Sequence, residues 1–204
     1  MAAQRQLQGK RVAILATDGV EQVELTEPKK ALDAAGAQTV VISPKSRAIK
    51  AWQHDHWGDE IPVDRPLDSA RAEDFDAVML PGGVINADSL RMDDRAVQFV
   101  RRMFEAGKPA AVICHAPWLL VEADVVRGRT ITSWPSLKTD LRNAGADWVD
   151  REVVTDEGLV TSRKPDDIPA FNRKMLEEFA EGRHEAQRAA AQRARSTEAE
   201  REAR

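Results

Sequence analysis

The sequence predicts an α/β fold: a mostly parallel sheet with helices on both faces. Short apolar runs alternate with longer stretches of helical periodicity along most of the chain, the pattern of strands joined by helical crossovers. The short runs are apolar throughout rather than at every second residue, as strands buried on both faces are. Several of them stop at Gly or Pro, which punctuate such units.

Taken in order, Arg11 to Ala16 reads as a buried strand. Glu21 to Ala35 reads as a helix with Val23, Ala31, Leu32 and Ala35 as its apolar positions, and Pro28 inside it predicts a kink or break. Gly36 is a suitable stop. Thr39 to Ile42 is the next strand, and Ala77 to Leu80 another, closed by Pro81-Gly82-Gly83. Arg95 to Glu105 is a helix with Val97, Val100, Met103 and Phe104 on one face and Gly107 as terminator. Ala110 to Ile113 is a strand running into Cys114. Thr130 to Ser133, Glu152 to Thr155 and Leu159 to Ser162 are further strands, the last two joined by Asp156-Glu157-Gly158 as a hairpin. Ile168 to Glu181 is the closing helix.

The predicted organisation is a polar N-terminal stretch (1–10), one α/β domain (11–181) and a tail (182–204) rich in Ala, Arg, Glu and Gln. The tail has no large apolar side chain and is expected to stay solvated, helical or disordered. A chain of 204 residues with 42% hydrophobic content can bury one substantial core. A formal net charge of -4 gives no reason to expect nucleic acid or an anionic membrane as partner. The single cysteine excludes an intrachain disulfide framework and fits a reducing, cytoplasmic setting. No apolar run reaches membrane-spanning length, and residues 1–10 lack the apolar core of a signal peptide.

The chemistry concentrates at Cys114. An apolar, β-branched strand ends there; His115, the small Ala116, Pro117 and an apolar helical stretch follow. That is the layout of a nucleophile elbow with sulfur in place of hydroxyl. Pro117 suits a first helical turn, and a helix N-terminus is expected to lower the thiol pKa. A buried structural thiol fits the local pattern as well. His54 and His56, in Trp52-Gln53-His54-Asp55-His56-Trp57, lack clear further metal ligands. They read as part of a loop lining a site, with Trp52 and Trp57 as an apolar wall; no metal is expected. Trp118 and Trp134 read as core, Trp118 being close enough to Cys114 in sequence to shape a pocket. No Gly-x-Gly-x-x-Gly follows the first strand, so no dinucleotide and no other cofactor is expected. A glutaminase triad is excluded, because the only histidine after His115 is His184, in the tail.

Several ordered segments together resemble the PfpI intracellular-protease family of the ThiJ/PfpI superfamily. They are Asp18 to Leu25, Asp74 to Gly83, Gly107-Lys108-Pro109 leading into Ala111 to His115, Ser133-Trp134-Pro135, Asn143 to Ala146 before Trp148-Val149-Asp150, and Leu159 to Arg163. The resemblance spans roughly Arg11 to Phe179. Ala116 stands where the family usually has Gly, and the charged tail extends beyond the common end.

The resemblance implies a flavodoxin-like three-layer sandwich, a dimer or higher homo-oligomer, and stress-protective peptidase, glyoxalase or protein-deglycase chemistry on peptide, glycated-protein or small carbonyl substrates. It makes Cys114 the nucleophile and His115 the general base. It makes Glu24 a carboxyl packed on the thiol, which needs burial and a raised pKa to donate or shuttle a proton. Glu21 lies three residues earlier, on nearly the same helical face. Asp88 aligns to the acid that a neighbouring subunit supplies to the histidine, with Asp93 and Asp94 as fallbacks; Asp88 could equally be the N-cap of the next helix. Gly82 and Gly83 form a tight turn, and the Gly83 and His115 N–H groups are candidates for an oxyanion hole. The alternative from a different class is a stress protein that senses oxidation through the same cysteine; a chaperone-like surface is a third reading.

Overall fold

The computed structural model describes residues 6–189, 191 and 192. The strands are β1 (Arg11–Leu15), β2 (Gln38–Ser43), β3 (Ala48–Gln53), β4 (His56–Pro62), β5 (Arg65–Pro66), β6 (Ala77–Leu80), β7 (Ala110–Ile113), β8 (Thr130–Ile131), β9 (Asp147–Trp148), β10 (Val153–Asp156) and β11 (Leu159–Ser162). The helices are α1 (Gln22–Ala34), α2 (Val84–Arg91), α3 (Asp94–Glu105), α4 (Pro117–Glu122), α5 (Lys138–Asn143) and α6 (Ile168–Glu181). Seven strands form the central sheet in the order β10-β11-β7-β6-β1-β2-β5. Every pairing is parallel except β10 with β11. Two buried clusters, one on each face, flank it. One gathers α3 and α4 side chains such as Phe99, Met103 and Leu120, the other α1 and α6 side chains such as Leu25, Phe171 and Phe179. The architecture is flavodoxin-like.

The four central strands β1, β6, β7 and β11 are buried almost throughout, which is why their sequences are apolar on both faces. The β10–β11 hairpin turns on Glu157 and Gly158, at φ 45° and 86°. Both central residues thus take the left-handed conformation that suits a two-residue hairpin to the strand twist. Lys108 is buried, its ammonium donating to the carbonyls of Ala72 and Phe75, and this pins the lead into β7.

Four expectations are corrected. Pro28 does not break α1, which runs unbroken through it; the ring is buried and the helix forgoes one backbone hydrogen bond. Trp52 to Trp57 is not a loop but the tip of the β3–β4 hairpin, paired Trp52 with Trp57 and Gln53 with His56. The N-terminal stretch is not merely polar: Leu7 is fully buried, and its N–H donates to the Ala35 carbonyl.

The tail is not free of the body over residues 182–189, 191 and 192. Gln187 and Ala191 are buried, and the His184 N–H donates to the Gly107 carbonyl. Glycines rather than large apolar residues make this seat. A Cβ at Gly107 would stand 2.8 Å from the His184 carbonyl oxygen, and one at Gly158 2.6 Å from the His184 ring. Residues 193–204, the rest of the tail, lie outside the described residues.

Candidate active site

Parallel strands deliver their C-terminal ends to one edge of the sheet, and ligands of open α/β sheets bind there. The ends of β1, β6 and β7 lead into Thr17 to Val20, Pro81-Gly82-Gly83 and Cys114, and these segments meet around one cavity of about 500 Å³. Glu21, Glu24, Trp52, His54, Gly83, Ile85, Cys114, His115 and Trp134 are among the residues lining it.

Cys114 turns sharply out of β7 with φ 64°, a left-handed conformation that costs a non-glycine residue energy. Two backbone bonds hold it there: its N–H donates to the Ser162 carbonyl, and its own carbonyl accepts from the Trp134 N–H. The sulfur sits 3.1 Å from His115 Nδ1 and accepts from the Gly83 and His115 N–H groups. Adjacent residues thus do face each other, because the elbow turns both side chains to one side.

Glu24 projects from the first turn of α1 and is fully buried. Its Oε2 accepts the Gly82 N–H at 2.9 Å. Oε1 is buried without a hydrogen-bond partner, and the carboxyl and the Cys114 thiol shift each other's titration. Burial raises the carboxyl pKa from 4.5 to about 8, so at neutral pH it holds a proton. Burial also pushes the Cys114 thiol up, and any negative charge on Glu24 pushes it further; the two backbone N–H groups pull the other way. The expected lowering of the thiol by a helix N-terminus is therefore corrected. Desolvation outweighs what the six-residue α4 can offer. Burial pushes the His115 imidazole down to about 4, which leaves a neutral ring able to accept a proton.

Gly82 and Gly83 are required by space. A Cβ at Gly82 would overlap Glu24 Oε2 and come within 2.6 Å of Cys114 Cβ; one at Gly83, where φ is 92°, would meet the Glu21 N–H nitrogen at 2.7 Å. Asn86, fully buried, braces this turn. Its amide donates to the carbonyls of Pro81 and Gly82, and its oxygen accepts the Thr17 N–H. Sequence reasoning missed Asn86; the available signal was a polar residue three positions after the Gly pair, on a helix turned toward the sheet.

Glu21 stands at the N-cap position of α1 rather than on the Glu24 face. Its Oε1 accepts the His54 N–H at 3.4 Å, tying the hairpin tip to the cavity. His54 lines the cavity, whereas His56 pairs with Asp55 at 2.8 Å in the exposed part of the hairpin. Trp52 is a wall, but Trp57 is 46% exposed, edging against Trp52 with the Lys50 ammonium over its ring.

Trp134, read from sequence as core, is 38% exposed and lines the cavity, stacked on the His115 ring at 5.6 Å and 25°. Trp118 packs on the other aromatic contact of that ring, at 5.5 Å, and donates its indole N–H to Asp140; it does not line the cavity. Asp88 is exposed in the middle of α2, so it caps nothing, and it is not among the cavity-lining residues of its own chain. Asp93 is the N-cap of α3 and is held by Arg95 at 2.6 Å, while Asp94 sits exposed in the first turn of that helix. Neither fallback acid reaches the cavity wall.

Fold and site together define an α/β sandwich protein with a buried cysteine at a nucleophile elbow, flanked by a histidine and a protonated carboxyl. The chain belongs to the DJ-1/PfpI family, whose sequence profile matches residues 10–178. It is 45% identical over 170 residues to general stress protein 18 of Bacillus subtilis (strain 168), covering 82% of this chain and 96% of that one. It is 42% identical over 169 residues to protein/nucleic acid deglycase 2 of Escherichia coli (strain K12), again covering 82% and 96%. Among solved structures, Drosophila melanogaster DJ-1beta superposes with a TM-score of 0.76 at 29% identity, over 92% of this chain and 96% of that one.

Proposed function

We propose that this chain is a cysteine-dependent hydrolase of the deglycase and glyoxalase type, protective under stress, acting on methylglyoxal and its adducts. The observation that carries the reading is the sulfur 3.1 Å from a neutral imidazole at a left-handed elbow, facing a cavity large enough for a small carbonyl compound. Relatives named as a stress protein and as a deglycase support it. His115 accepts the thiol proton as sulfur attacks the carbonyl carbon. The π pair moves to oxygen, where the Gly83 and His115 N–H groups receive the charge. With an α-oxoaldehyde the product is a hemithioacetal. Glu24 then gives its proton to the neighbouring carbonyl oxygen, takes the proton of the former aldehyde carbon and returns it to the neighbouring carbon, and finally recovers a proton from the hemithioacetal hydroxyl, which leaves a 2-hydroxy thioester and the carboxyl as it began. Water hydrolyses the thioester to the acid and restores the thiol. No external oxidant or reductant enters, since one carbon is oxidised as its neighbour is reduced. Peptidase action would use the same attack with an amine leaving.

In this reading Asp88 of a second copy supplies the acid that orients His115, and the active form is a homo-oligomer in the cytoplasm. No helix of the described residues is long and apolar enough to cross a membrane.

The test is Cys114→Ser, checked for folding by circular dichroism and assayed with methylglyoxal and a methylglyoxal-treated peptide. Turnover should fall on the order of a thousandfold or more. Turnover that survives in the folded variant removes Cys114 as nucleophile. A parent protein without turnover, but with Cys114 taken to sulfenic acid by peroxide, would replace the enzyme with the sensor. Asp88→Ala should lower activity in the oligomer; full activity of a verified monomer would take Asp88 out of the mechanism.

A further inference from the structure

At the other end of β7 from the elbow, the C-terminal end of α6 brings together Glu178, Glu181 and His184. One donor atom from each lies within 4.8 Å of the others. Glu178 Oε2 and His184 Nε2 are 3.3 Å apart. That matches the edge, about 3.3 Å, of a tetrahedron built on zinc–ligand bonds near 2.0–2.1 Å. No hydrogen bond joins the two atoms: His184 Nε2 is buried and has no hydrogen-bond partner. The Glu178 side chain facing it is only 10% exposed. A buried imidazole nitrogen left without a hydrogen bond, beside a carboxylate oxygen at 3.3 Å, is an incompletely satisfied group in a native interior, and a cation between the two completes it.

The backbone serves the same arrangement. α6 has 14 residues, and its C-terminal end carries the negative end of the helix dipole, which favours a cation. Gly182, at φ 90°, reverses the chain so that His184 returns to the helix end. Gln187 Oε1 is a second buried oxygen without a partner, and it closes on Gly158 alongside the His184 ring.

We infer that Glu178, Glu181 and His184 form a binding site for a first-row divalent cation of the Zn²⁺ type, which staples residues 182–189 to the end of α6. Imidazole with two carboxylates is a donor set such ions accept. Exposed Glu181 swings inward to close the third position, and water fills the fourth.

The experiment uses the full chain with Cys114→Ala, His54→Ala and His56→Ala, so that no donor at the cavity or hairpin competes. Zn²⁺ is titrated calorimetrically at about pH 7.5, because metal binding to such ligands is pH-dependent. One ion should bind per chain, and Glu181→Gln and His184→Ala should each weaken it about tenfold or more. Zn²⁺ should also slow tryptic cleavage after Arg183 and Arg188, an effect reversed by chelation and absent in Glu181→Gln. Glu181 is exposed, so its variant keeps the fold even if His184→Ala releases the tail. Absence of binding, or equal affinity in parent and Glu181→Gln, overturns the site and leaves Glu178 and His184 as an ordinary ion pair.

Discussion

Replacing Glu24 with Gln should make the protein more stable at neutral and alkaline pH. The unfolded chain releases the Glu24 proton near 4.5, while the folded chain holds it to about 8. Between those values the unfolded state binds fewer protons, so stability falls as pH rises. The contribution is complete below pH 4.5 and lost by the time pH passes the folded value. At about 1.4 kcal/mol per pH unit, the loss is about 3 kcal/mol at pH 7 and about 5 kcal/mol above pH 8. Gln has the shape of the protonated acid. Its oxygen can keep the Gly82 N–H and its amide can face the sulfur, but it has no proton to lose.

Urea unfolding of parent and variant, measured from pH 4.5 to 8, gives the difference directly, because titrations common to both cancel. The two should coincide at pH 4.5 and diverge steadily in favour of the variant. Parallel stability curves would mean that Glu24 ionises in the folded protein as it does in water, and the account of a protonated partner to the thiol would fail. The variant should also lose the proposed proton transfer, so that higher stability accompanies lower turnover.

Gly82→Ala places a methyl group against Glu24 Oε2 and Cys114 Cβ. It should cost about 1–3 kcal/mol of stability and most of the activity, read by denaturant midpoint and turnover; a fully active, fully stable variant would contradict the packing. Trp134→Ala removes the stacked face of His115 and hydrates the ring. Its pKa should rise from about 4 toward the ordinary 6.5, followed by NMR of the imidazole, and kcat should fall more than KM rises. An unmoved imidazole titration would show that Trp134 contributes nothing to the burial of His115.

The parts of the fold legible in the sequence were those set by local chemistry. The strands Ala77–Leu80, Ala110–Ile113 and Leu159–Ser162 and the helix Ile168–Glu181 have the bounds their sequences suggest. In each, apolar pattern and turn residues agree. The elbow was legible for the same reason: a β-branched run, a small residue and a proline bracket Cys114. What escaped depends on tertiary distance. The hairpin tip at His54 carries mixed polar residues whose pairing is not periodic. Trp134 faces a cavity rather than the core only because Cys114 and Trp134 are tied through the backbone. The tail docks on glycines, and a hydrophobicity count cannot see a seat made by missing side chains. The thiol pKa was misread because a helix start is visible in sequence and burial beside a carboxyl 90 residues away is not.

A raised thiol pKa is compatible with a nucleophile, given where the proton goes. Thiolate nucleophilicity grows with thiol pKa, so a strongly depressed pKa would trade reactivity for population. Here the resting thiol is protonated, and His115, the base in the proposed mechanism, is 3.1 Å away and uncharged. Glu24 enters the same balance. Ionised, it would raise the cost of forming a second negative charge beside it; protonated, it adds no such charge. The two acids therefore titrate as a pair: burial keeps the carboxyl protonated at neutral pH, and without a charge on Glu24 the thiol is pushed up less. The Gly82 N–H holds Glu24 in place, and Asn86 holds the turn that presents it. Geometry at the Pro-Gly-Gly turn thus governs proton distribution at Cys114.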